Sequence, residues 1–67
     1  MLNKGDTVYW DWGDGKAKGE VVEVSEASIT KIINKNVVTR HGEPGNPAVV
    51  IKQDDGQTVL KLKSELH

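Results

Sequence analysis

The sequence predicts a small all-β barrel of about five short strands. Three observations carry this. Apolar and β-branched residues alternate with polar ones over several short runs, glycine- or proline-bearing turns separate most of those runs, and no stretch holds a convincing helical stripe. Closure into a barrel suits so few strands, because a flat sheet of this size leaves one face wet and both edges open. At 67 residues the chain is a single domain, 1–67. Such a domain buries only about 60% of its unfolded surface and is marginally stable.

Lys4-Gly5-Asp6 opens as a turn. Thr7 to Trp12 then alternates, with Val8, Trp10 and Trp12 on one face and Thr7, Tyr9 and Asp11 on the other. Gly13-Asp14-Gly15 is turn chemistry and joins this strand to a second, from about Lys18 to Ser25. There Val22 and Val24 are expected inward and Glu23 outward; Val21 falls out of phase beside Gly19, the signature of a bulge or bend. Residues 28–33 are ambiguous. Ile29, Ile32 and Ile33 have helical spacing and Ser28 could cap a helix, but the run is mostly β-branched, so an irregular or extended loop is expected. Asn34-Lys35-Asn36 then turns the chain into a strand at Val37–His41.

Gly42-Glu43-Pro44-Gly45-Asn46-Pro47 is the clearest break, since proline cannot donate to a central ladder. Ala48 to Gln53 follows as a strand, and Asp54-Asp55-Gly56-Gln57 carries an Asp-Gly pair, the signal of a two-residue hairpin turn. Thr58 to Leu62 returns as its partner, with Leu60 and Leu62 on one face. Lys63 to Leu66 closes as one helical turn with Leu66 packing back, and His67 is given no role.

Composition narrows function. Nine Lys+Arg against ten Asp+Glu give a net charge of −1, whereas a protein that mainly grips nucleic-acid backbone is usually strongly basic. Without cysteine there is no disulfide framework, thiolate zinc site or redox pair. The longest apolar run, Ala48 to Ile51, is far below the ~18 residues of a membrane span. Gly5 and Asp6 interrupt any signal-peptide pattern, so a cytoplasmic monomer is expected, with no membrane partner.

The run Lys4-Gly5-Asp6-x-Val8-x-Trp10 resembles the opening of the hypervirulence-associated TUDOR-type domains, small bacterial and fungal domains. Gly19-Glu20-Val21-Val22 resembles their second strand and Val38-Thr39-Arg40 their third. Asn46-Pro47-Ala48-Val49-Val50-Ile51 resembles their proline-led strand, with Ala48 where relatives often carry an aromatic. Leu60-Lys61-x-x-Ser64-Glu65-Leu66 is similar to their closing segment. The resemblance implies an SH3-like or Tudor-like barrel, and the family brings no established enzymatic activity to carry over.

Three aromatics fall within four consecutive residues, Tyr9, Trp10 and Trp12. A methyl-lysine cage needs three or four converging rings, and alternation lets at most two of these share a face. Trp10 is therefore expected in the core and Trp12 at its rim. Lys31, Lys35, Arg40 and His41 form a modest basic cluster that could follow a phosphate backbone, but Glu43, Asp54 and Asp55 blunt its field. His41 has no nucleophile at triad-like spacing, Asp54-Asp55-Gly56 lacks the later carboxylates of a calcium loop, and no helix follows Gly13-x-Gly15-x-x-x-Gly19 to make a phosphate loop. The reading is a non-enzymatic interaction module without cofactor or metal. It binds an unknown protein partner through Tyr9, Trp12, Lys35, Arg40 and His41; weak RNA or other nucleic-acid binding is the alternative.

Overall fold

The computed structural model describes residues 2–67. Six strands run in order: β1 Thr7–Trp12, β2 Gly15–Ser25, β3 Ile29–Ile33, β4 Asn36–Arg40, β5 Ala48–Lys52 and β6 Thr58–Leu62; a 3-10 turn, Lys63–Glu65, follows. β1, β2, β5 and β6 form one antiparallel sheet in that order, and β3 and β4 pair as a separate hairpin. The result is the small β-barrel that the sequence predicts, with one strand more.

The extra strand is β3. Residues 28–33 are not an irregular loop: Ile29 pairs with Arg40 and Ile33 with Asn36. Ile29, Lys31 and Ile33 face inward and Thr30 and Ile32 outward, so isoleucine on both faces hides the two-residue period. Asn34 and Lys35 make the connecting turn, both with left-handed backbone (φ 50° and 66°). Two consecutive positive φ values match the twist of the flanking strands, although Lys35 adopts them at a cost of about 1–2 kcal/mol. β4 accordingly begins at Asn36 and ends at Arg40 rather than His41.

Other boundaries shift for identifiable reasons. β2 starts at Gly15, well before Lys18, because the β1–β2 ladder runs to the Trp12–Gly15 pair. The bulge lies between Val21 and Glu23, so Val22 is the extra residue. Its phase differs from expectation: Val21 is fully buried, while Val22 and Val24 are half-buried. β5 stops at Lys52, and the β5–β6 turn holds three residues, not two. Gln53 N–H donates to Gln57 C=O at 2.8 Å and Gly56 N–H to Gln53 C=O at 2.9 Å, enclosing Asp54, Asp55 and a positive-φ Gly56.

β5 is the centre of the molecule, with Ala48 to Ile51 buried on both faces. On one side β1 and β2 fold over it, packing Val8, Trp10 and Val21 against Val49 and Ile51, with Leu66 at the margin. Gly19 permits this close approach, since a Cβ there would stand 2.5 Å from Ile51 Cγ2 and 2.9 Å from the Lys52 carbonyl oxygen. On the other side the β3–β4 hairpin lays Ile29, Ile33 and Val38 over Val50, Leu60 and Leu62. A Lys31–Glu23 ion pair at 3.5 Å adds a surface tie from the hairpin to β2. Among the described residues no helix is long and apolar enough to cross a membrane.

Candidate interaction groove

Alternation places Trp10 and Trp12 on the same face of β1, yet their environments differ completely. Trp10 is 2% exposed in the core, and Trp12, two residues nearer the Gly13 turn, is 73% exposed. The indole of Trp12 stands at one wall of an open groove of about 450 Å³. Trp10 and Ala17 continue that wall, Ile33 at the end of β3 and Asn34 of the following turn form another, and Thr58 to Lys61 of β6 complete the lining. The strand directions explain the position. β6 runs antiparallel to β5, which is antiparallel to β2, itself antiparallel to β1, so β6 starts at the same end of the barrel where β1 finishes. The groove is the unpaired seam of the barrel.

At its other end the same seam is closed. His67 N–H donates to the Tyr9 carbonyl at 2.7 Å, giving the last residue a role that its sequence position does not suggest. Its Nε2 also lies 3.2 Å from Asp11. The Lys16 ammonium, 2.9 Å from Asp11, and then the His67 ring hold that carboxyl below the usual carboxylate range.

The five residues proposed from sequence do not converge. Only Trp12 lines the groove; Lys35 sits beside Asn34 at the turn that borders it. Tyr9 is 44% exposed on the opposite face of β1. Arg40 lies at the far end of the hairpin, where Nε donates to the Leu60 carbonyl at 3.4 Å and a terminal nitrogen meets Glu65 at 3.3 Å. His41 follows it, with Nδ1 2.9 Å from the Ser28 hydroxyl; both side chains are exposed, and among the described residues no carboxylate orients the ring. Such a pair lacks the third member and the enclosure that nucleophilic catalysis uses.

Ile33, Asn34 and Thr58 are groove residues that the sequence does not single out. The one available signal is Asn34, whose turn chemistry fixes where the hairpin tip must project. Asp55 also borders the groove, with one carboxylate oxygen accepting from Gln57 N–H at 2.9 Å and Lys61 nearby on β6. The described residues contain no group of three or more His, Cys, Asp or Glu able to hold a metal ion. The lining is mixed: apolar surface from Trp10, Trp12, Ile33 and Leu60 stands beside amide, hydroxyl and charged groups, among them Asp55 and Lys61, a composition suited to binding.

No curated protein matches the chain, and no solved structure does. The family described as the hypervirulence associated proteins TUDOR domain matches residues 5–66, from the glycine of the opening turn to the leucine that packs back on the core, and the chain belongs to that family.

Proposed function

We propose that this domain is a non-enzymatic interaction module that binds a protein partner in the groove beside Trp12. One observation carries the reading: a tryptophan is 73% exposed at the wall of a concave site of mixed apolar and polar lining, in a chain with only two tryptophans. Exposed aromatics beside a groove are the residues that dominate binding energy at protein interfaces. Membership of a Tudor-type family supports an interaction module in general, and the placement of residues refines the surface. Trp12 is its anchor and Lys35 a charged residue at its border, while Tyr9, Arg40 and His41 stand elsewhere. Asp55 on the lining and Asp54 in the same turn work against a phosphate backbone at this site.

Affinity capture with wild-type and Trp12→Ala baits tests this. The variant should keep the wild-type thermal transition and lose its protein partner by about tenfold or more. Unfolding of the variant would make Trp12 a structural residue and remove the proposal's support. Capture abolished by ribonuclease would instead select nucleic acid.

A further inference from the structure

β6 has two edges, and only one is fully satisfied by the sheet. The Gln53–Gln57 bond and the 2.9 Å bond from Lys63 N–H to Pro47 C=O fix the phase of the β5–β6 ladder. Residues 57, 59, 61 and 63 turn their peptide groups toward β5, so residues 58, 60 and 62 turn theirs away. Two of the outward groups are met by side chains. Leu60 C=O accepts from Arg40, and Leu62 N–H donates to Glu65 at 2.9 Å, with Arg40 and Glu65 paired to each other. Among the described residues no protein group meets the Thr58 N–H and C=O or the Leu60 N–H. Those unmet groups lie where Thr58 and Leu60 line the groove.

We propose that the groove takes an extended peptide segment as an added strand on the outer edge of β6, hydrogen-bonded to Thr58 and Leu60. The inference rests on the reading of the groove as the protein-binding site and states how the partner sits in it. Donors and acceptors at strand spacing are matched by another extended backbone. Side chains of an added strand alternate in direction, so one points toward Trp12 and the next toward Ile33 and Asn34. The Arg40–Glu65 pair occupies the edge beyond Leu60 and ends the added strand there. The paired stretch is about three or four residues long.

Random heptapeptides displayed on phage, selected on the wild-type domain, supply the probe. The best binder is then made as a synthetic peptide in unmethylated form and in forms N-methylated at one residue each. The selected peptides should carry apolar residues at alternate positions, and N-methylation at alternate residues should weaken binding about tenfold or more. Thr58→Pro removes one outward N–H at the first residue of an edge strand, where proline is admitted, and should weaken binding comparably with an unchanged thermal transition. If Thr58→Pro unfolds, the N-methyl series decides alone. Binding that is indifferent to N-methylation but lost in Trp12→Ala overturns strand addition and keeps the groove. Failure to select any binder, or a binder indifferent to both changes, overturns the groove reading and this inference with it.

Discussion

β5 buries four consecutive residues, Ala48 to Ile51, whereas β3 buries Ile29 alone and turns Ile32 into solvent at 76% exposure. Both strands are five residues long and rich in β-branched side chains, so intrinsic propensity does not separate them. Position does. β5 has a strand on each side and a packed layer above and below it, while the β3–β4 hairpin has one packed face and one wet face, the latter carrying Ile32 opposite Val37 and the Thr30–Thr39 hydroxyl pair at 2.8 Å. The sheet is held by burial. The hairpin is held by a two-residue turn, one layer of contacts and a few polar ties at its base, and it is the part of the molecule set to open first.

Three substitutions separate the sheet from the hairpin, in decreasing order of cost. Trp10→Ala empties the largest fully buried side-chain site and should cost about 3–5 kcal/mol. A chain of this size has roughly 3–10 kcal/mol in total, so the thermal transition should fall steeply or vanish. Arg40→Met keeps the aliphatic stem but removes the guanidinium from Leu60 C=O and Glu65. A loss of about 1–2 kcal/mol is expected. Hydrogen exchange should quicken across β3 and β4 while amides of Val49 to Ile51 hold their protection; uniform acceleration would mean that hairpin and sheet open together. Ile32→Thr keeps a β-branched residue on the wet face and should change stability by less than about 0.5 kcal/mol in chemical denaturation. A larger loss would show that this face is not simply solvated.

The same contrast explains what was legible in the sequence. β1 and β6 are readable from their alternation, and β5 from a continuous apolar run bounded by turn signals. β3 is not, because Ile32 is exposed and completes a false helical triad with Ile29 and Ile33. The bulge at Val22 is signalled by two adjacent valines, but which of them turns inward depends on β1 folding over Ile51, a contact about thirty residues away in the chain. The site divides likewise. That the two tryptophans part company follows from Trp12 standing next to a turn. That Arg40 is occupied by Leu60 and Glu65, and is therefore not a free cation, rests on contacts 20 and 25 residues distant that no local pattern encodes.

Arg40 and Glu65 also bear on how the molecule behaves at high concentration. An uncapped β6 would offer a continuous bare edge from Thr58 to Leu62, the template on which copies of a small β protein stack into aggregates. With the far half plugged by an ion pair and the near half recessed between Trp12 and the hairpin tip, a second folded copy cannot lay a full strand along it. What stays bare is the short stretch at Thr58 and Leu60, a brief template compared with the whole strand.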